Sequence, residues 1–407
     1  MTERTKKILI IVLFVIFVGL MAWLLYRVFF FRGAPDEVSP PISPEAPEEV
    51  TTLPTSGAGG ARIPEKKPKA PELPVSPVAA GGITAVTPLT LTPTKAPVLA
   101  ANGTSLNYYD PADGKFYTID RDGNTRALLR DAFPKADKIT WNTDADKAIV
   151  EFPDGANVIV DFRSQDVVTL PQHWEDFDFS PAGKQIAAKS IGTDPGNRWL
   201  IVASPDGSRA ETVAALGQNA NKVDVRWSPN DQVIAFSDTG ITLSGFGRKQ
   251  ILPIGKNQEN FPGLVVEGLS FNPLWSKDGK QILYSTAGPT SNYQPQVWLV
   301  DGEANTMGQN RRSLPLNTWA DKCTFANDTT AYCAVPQSLP PGSGLQRQLA
   351  SGVPDSLYRI DTKTGAMSLV VVPDGKIPMK GLTVSKDGGT LFYQHEINGA
   401  LGTIRLK

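Results

Sequence analysis

One turn recurs along the chain: an aromatic residue, then Ser, Pro, Asp or Asn, Gly and Lys, set between two apolar stretches. It is clear at Phe179-Ser180-Pro181-Ala182-Gly183-Lys184, at Trp227-Ser228-Pro229-Asn230-Asp231 and at Trp275-Ser276-Lys277-Asp278-Gly279-Lys280. Weaker copies begin at Ala101, Trp141, Phe325 and Val384. That makes seven, at intervals of roughly 40 to 60 residues, the period of propeller blades. Pro presets φ, Asp or Asn closes the turn locally, and Gly accepts a positive φ, so each copy reads as a β-hairpin. Stretches such as QILYST and VIAFSD follow it, rich in β-branched and aromatic residues. A third strand ends in another turn (FYTIDRDG, WLIVASPDG, VWLVDG, LYRIDTKTG), and a fourth follows (TRALL, ETVAAL, QILPI, SLVVV). A four-stranded blade alone exposes both faces; only a closed ring of blades buries them. The expectation is an all-β, seven-bladed β-propeller of four-stranded antiparallel blades.

These residues resemble the TolB-like propeller repeat, of the "WSPDGK-ILYS…VWLVD" kind, across about 310 residues. The resemblance implies a propeller held outside the cytoplasm, with a binding or scaffolding role. It carries over no active-site residue, because the matching positions are turn and core positions. Ser-Lys-Asp-Gly also departs from the sialidase Asp box, in which another residue separates Asp from Gly.

The last repeat supplies only three strands (LTVS, TLFYQHE, GTIRLK) before Lys407. Ring closure therefore calls for a strand from elsewhere, and Ile83 to Leu91 has the β character to provide it. Pro88 suits an outer edge, where no ladder N–H is needed. Cys323 and Cys333 flank the degenerate turn FANDTT. A hairpin centred on Asp328 sets Phe325 opposite Ala331, Thr324 opposite Tyr332 and Cys323 opposite Cys333. Directly opposed residues lie about 4.5–5.5 Å apart, within disulfide reach, which fits an oxidising compartment. Two buried thiols packed as small hydrophobes are the alternative.

Ahead of the repeats, Ile8 to Tyr26 is an unbroken apolar run that spans roughly 29 Å as a helix, close to a hydrocarbon core. With Val28 to Phe31 it defines an expected transmembrane helix over 8–31. The run is too long for a signal-peptide core. Arg4, Lys6 and Lys7 lead it, which favours a cytoplasmic segment over 1–7 and an extracytoplasmic propeller. Gly33 to Pro97 holds 14 prolines and little apolar periodicity. Residues 32–82 therefore read as a disordered Pro-rich stalk, and 83–407 as the propeller.

The formal net charge is −1, so nothing draws the whole chain to nucleic acid. Two Cys and two His, without CxxC or HxxxH spacing, leave no metal site, and no cofactor motif occurs. The Asp120-Arg121-Asp122-Gly123-Asn124 string lacks the distal Glu of a calcium loop and reads as a hairpin turn. Propeller-bearing peptidases add a Gly-x-Ser-x-Gly elbow, and none is present here. The expectation is no enzyme, but a recognition module for an envelope protein or polymer. The alternative is a small-ligand or glycan sensor at the channel mouth.

Loops joining second to third strands share one propeller face with loops joining blade to blade. The long segments fall in those classes: Ile191–Arg198, Gly288–Gln296 and Pro336–Ser356 within blades, and Gly255–Pro262 and the regions of Phe133, Trp174 and Trp319 between them. A short helix over Leu345–Leu349 is expected to lid the mouth. Tyr293, Gln294, Trp319, Leu345, Arg347 and Trp174 are the candidate partner-binding residues. The competing reading has Trp174, Trp319 and Phe133 plugging gaps between blades. Asp176, Asp178 and Asp224 are placed on innermost strands, facing the channel.

Overall fold

The computed structural model describes residues 13–24, 74–257 and 259–407. Residues 13–24 form a helix with exposed apolar side chains. None of the described helices is long and apolar enough to cross a membrane. The rest of the expected span, the segment 1–7 and stalk residues 32–73 lie outside the described residues.

The head opens with two short strands, β1 (Ile83–Thr84) and β2 (Thr87–Pro88). Blade one follows as β3 (Lys95–Leu99), β4 (Leu106–Asp110), β5 (Lys115–Ile119) and β6 (Thr125–Ala127). Blade two is β7 (Lys138–Trp141), β8 (Lys147–Glu151), β9 (Asn157–Asp161) and β10 (Asp166–Leu170). Blade three is β11 (Trp174–Phe179), β12 (Ile186–Ile191), β13 (Arg198–Ala203) and β14 (Glu211–Ala215). Blade four is β15 (Val223–Val225), β16 (Val233–Ser237), β17 (Lys249–Gly255) and β18 (Leu264–Val266). Blade five is β19 (Leu269–Trp275), β20 (Gln281–Ala287), β21 (Pro295–Asp301) and β22 (Arg312–Ser313). Blade six is β23 (Cys323–Asn327), β24 (Thr330–Pro336), β25 (Asp355–Asp361) and β26 (Met367–Pro373). Blade seven is β27 (Met379–Val384), β28 (Thr390–His395) and β29 (Leu401–Arg405).

Strands within each blade pair in chain order, and the first strands of most neighbouring blades touch, which sets them around the axis. Seven apolar clusters hold the ring, each shared by two adjacent blades. Phe116, Tyr109 and Val150 join blades one and two, and Leu106, Tyr108 and Phe392 join blades one and seven. The core is therefore a closed series of interfaces, as a stack of two-faced sheets requires.

The signature Ser explains the repeat. Ser228 and Ser276 are fully buried. The Val233 N–H donates to Ser228 Oγ at 2.8 Å, and that hydroxyl donates to Asn230 Oδ1 at 2.7 Å. Gln281 N, Ser276 Oγ and Asp278 Oδ1 repeat the relay at 2.9 and 2.7 Å, and Thr390 N, Ser385 Oγ and Asp387 Oδ1 repeat it at 2.9 and 2.6 Å. Ser thus ties the turn's Asp or Asn side chain to the strand after it, and Asn142 takes its place in blade two. Gly279 has φ +69°, and a Cβ there would meet Asn230 N of the neighbouring blade at 2.7 Å, so glycine serves both turn and blade packing. Ser276→Ala leaves a buried N–H without its acceptor and should cost about 1–3 kcal/mol, read as a lower urea midpoint at unchanged slope.

The ring closes as expected: Thr87 pairs with Thr403 and Pro88 with Gly402, making β2 the outer strand of blade seven. Ile83 and Thr84, expected in that same closing strand, instead form β1, which runs parallel to β26 as a fifth strand on blade six. Ala79 and Gly81, within the expected stalk, donate to Arg405 O and Val370 O. The Cys323–Cys333 disulfide is present, in the expected register with Thr324 opposite Tyr332 and Phe325 opposite Ala331.

One strand is reassigned. QILPI, expected as the fourth strand of blade four, belongs to its third, β17, which pairs with β16 on one side and β18 on the other. The connection from β17 to β18 therefore joins third to fourth strand, and its described residues lie on the opposite face from the one expected. Strand pairing decides this: Gln250 needs Val265 beside it, and no local pattern reveals that partner.

Candidate functional site

Elaboration concentrates on the face carrying second-to-third-strand and blade-to-blade loops, here called the loop face. All five described 3-10 helices lie there: Pro195–Asn197, Gly217–Lys222, Pro289–Ser291, Ala320–Lys322 and Arg347–Ala350. The opposite, hairpin face carries the signature turns. The first described residues of the head reach that side, where Pro77 shares a cavity of about 690 Å³ with Arg121, Asp387 and Lys407.

Ten large apolar side chains of the described head are exposed. Seven of them sit on the loop face: Leu91, Ile241, Phe246, Leu269, Leu345, Leu349 and Ile397. Apolar exposure is ordinary when scattered, but clustering on one face marks an interaction surface. Neighbouring loops join part of this set into one patch. The Phe246 and Tyr293 rings meet edge-to-face at 5.6 Å. Gly344 N donates to Tyr293 O and Gly342 N to Asn292 O, both within 2.9 Å, which seats the 337–354 loop on blade five. A Cβ on Gly344 would meet Ala287 and Pro295 under 3.0 Å, so glycine permits this close approach.

Five of the six candidate residues come together here. Gln294 Nε2 donates to Leu339 O at 2.5 Å and its Oε1 accepts from Asn317 Nδ2 at 2.6 Å, so it fastens loops rather than presenting a free amide. The Arg347 guanidinium lies over the Trp319 ring at 4.8 Å and bonds Asp321 at 2.5 Å and Glu396 at 3.2 Å. Trp319 is buried beneath it, 8 % exposed. Leu345, 43 % exposed, points outward. The expected helix over Leu345–Leu349 is a 3-10 turn over Arg347–Ala350, pinned by that arginine. Trp174 does not join them: it is buried between blades two and three against Phe177 and Ile186. The plugging role fits Trp174, while Phe133 fills the interface of blades one and two.

Beneath Arg347 lies a buried ion cluster. Lys322 Nζ reaches Asp355 Oδ2 at 2.8 Å and Glu396 Oε2 at 3.2 Å, with Lys322 and Asp355 both essentially inaccessible. The Met379 N–H donates to Asp355 Oδ2 at 2.6 Å. Burial pushes the Asp355 carboxyl up to about 6 in spite of the lysine. No sequence spacing links residues 322, 355 and 396; the fold alone brings them together.

The three candidate channel acids differ. Asp176, at φ +54°, bridges Lys138 at 2.8 Å and the buried Lys189 at 2.5 Å. Asp224 pairs with Arg226 at 3.0 Å, both half exposed. Asp178 accepts from Phe179 N at 2.9 Å and from Trp227 N at 2.7 Å, joining blade three to blade four. Burial lifts its carboxyl to about 6, with those two N–H groups opposing. Asp178 also borders a cavity of about 730 Å³, with Asn142, Trp275, Thr324 and Lys386, to which all seven blades contribute. That cavity opens among the signature turns, on the hairpin face.

The two raised carboxyls imply a pH trend. A folded pKa above the unfolded value contributes stability that is fully present below about 3.8 and lost as pH rises through about 6. Stability should therefore rise on acidification from pH 8 to 5, on the order of 2 kcal/mol for the pair after solvent screening. Asp178→Asn should flatten part of that slope in thermal unfolding across pH.

No family model matches this chain, and no curated protein matches it. Solved structures do. The chain is similar to an oligogalacturonate lyase in complex with manganese, at 13 % identity and TM-score 0.55, over 79 % of this chain and 93 % of that one. It is similar to the tricorn protease at 10 % identity and TM-score 0.50, over 79 % of this chain and 34 % of that one. TolB from Acinetobacter baumannii matches at 16 % identity and TM-score 0.43, over 65 % and 63 %, too distant in shape to add to them. At these identities the first two likenesses establish the propeller fold and nothing finer.

Proposed function

We propose that this chain is a non-catalytic recognition module, tethered to a membrane by its N-terminal apolar run, that binds a protein or polymer partner outside the cytoplasm with its loop face. The observation that carries the reading is the gathering of exposed apolar side chains on that face, with Phe246, Tyr293, Leu345 and Leu349 on adjoining loops. Desolvated aromatic and aliphatic anchors framed by satisfied polar groups are what binding faces use. The disulfide suits an oxidising compartment. His395, one of the two histidines, is occupied in a turn, its Nδ1 accepting from Ile397 N at 3.2 Å.

In-cell crosslinking with mass spectrometry, comparing the native chain with Phe246→Asp and Leu345→Asp, tests this. The expected result is partners lost in both variants at unchanged thermal stability. An unchanged partner set sinks the loop-face assignment. A second reading, a small-ligand or glycan sensor, is supported by the seven-blade cavity and places its site on the hairpin face instead. Glycan-array binding by the native chain that Asp178→Asn abolishes would favour that reading.

A further inference from the structure

Each blade ends in an outermost strand whose outward N–H and C=O groups can template another strand, and native sheets blunt such edges. Six of the seven blades show a device. The outer strands β2, β22, β6 and β18 are only two or three residues long, and β2 contains Pro88. The carbonyl of Val265 in β18 is further covered by Arg311 Nη1 at 3.3 Å. The β13–β14 pairing is bulged between Leu200 and Ile201. Blade six is capped by the chain's own β1.

Among the described residues, blade two has none of these. All five residues of β10 pair in register with β9, from Asp166 opposite Asp161 to Leu170 opposite Asn157, without a bulge or a proline. Val167 and Val168, on opposite faces of the strand, are 42 % and 37 % exposed. The fold already accepts a fifth strand at the corresponding edge of blade six, so a propeller blade of this chain tolerates one.

We infer that β10 is an interaction edge, and that its occupant is β10 of a second copy, paired antiparallel about a twofold axis through Val168. The sequence Asp166-Val167-Val168-Thr169-Leu170 is self-complementary in that register. Val168 faces its own copy, Val167 faces Thr169, and Asp166 faces Leu170, so no like charges are opposed. The pairing is isologous and closes at two, leaving no free edge to propagate. It also leaves both loop faces unobstructed by the joint, so a dimer would present two binding faces. Ten strand residues make a joint smaller than a stable soluble interface, so the association is concentration-dependent.

The test uses the full chain with its Cys323–Cys333 disulfide intact. In Val168→Cys the new thiols sit across the axis, where opposed residues come within disulfide reach. Mild oxidation should yield a covalent dimer that reducing agent releases. Leu91→Cys, 92 % exposed on the loop face, should remain monomeric under the same oxidation. Light scattering over a concentration series should show a rise toward twice the monomer mass in the native chain. Val168→Lys, which opposes two charges at the axis, should lose that rise while keeping the native near-ultraviolet circular dichroism. Absence of the Val168→Cys dimer, equal crosslinking at Leu91→Cys, or a mass increase that survives Val168→Lys each overturns the assignment.

Discussion

Replacing Lys322 with Met should destabilise the propeller by about 3–5 kcal/mol at pH 8, the cost of a buried charge left without its partner. Asp355 is wholly buried, and with the lysine gone its carboxylate keeps, among the described residues, only the Met379 N–H as a donor. Its pKa then climbs further above the ordinary carboxylate value. The sign follows: a raised folded pKa favours the folded state below the unfolded value of 3.8, and that contribution is lost as pH rises through the folded pKa. The defect should accordingly be largest at pH 8 and partly relieved at pH 5, where the carboxyl takes up a proton. Lys322→Met with Asp355→Leu should recover most of the loss, because a buried pair exchanged for apolar packing is often near neutral. Urea unfolding of the three variants at both pH values measures this. A single variant as stable as the native chain would show that Glu396 and water already satisfy the site.

A chain begun at residue 92 should be less stable than one begun at residue 74 by at least about 5 kcal/mol. It loses hydrogen bonds from Ala79 to Arg405 O, Gly81 to Val370 O, Leu89 to Leu401 O, Val372 to Gly82 O and Asp374 to Thr84 O. At about 1 kcal/mol each these alone reach that figure. It also uncovers the apolar surface that Val86 and Ala79 shield between blades six and seven. Hydrogen exchange should then show β29 and β26 losing protection before the blades opposite, since stability in a ring of nearest-neighbour interfaces is local. Equal stability of the two chains would mean that β1 and β2 decorate a ring closed by its apolar interfaces alone.

Which parts of the loop face are legible in the sequence depends on what holds them. Tyr293, Leu345 and Arg347 stand in loops whose length shows in the spacing of the repeats, so their face could be inferred. Phe246 and Ile241 are hidden because QILPI matches the fourth strands of other blades, and in that position it leaves no loop to contain them. A blade count that left blade four without a third strand was the available signal. Trp174 illustrates the converse. An aromatic beside a blade-to-blade loop suits both an exposed anchor and a plug, and only its neighbours Phe177 and Ile186 place it in the core.

The sequence by itself determined the number of blades, the turn chemistry that spaces them, the strand that closes the ring and the pairing of Cys323 with Cys333. Each rests on contacts within one hairpin or on counting strands, so residue type and spacing carry the information. The tertiary structure alone decided the parallel fifth strand on blade six, the side on which the connection from β17 to β18 emerges, and the end at which the seven-blade cavity opens. It also decided the burial of Lys322 with Asp355 and Glu396. These contacts join residues from 15 positions apart, Gln250 and Val265, to nearly 290 apart, Ile83 and Val372. No local preference encodes such a contact, because its free energy exists only once the ring has formed.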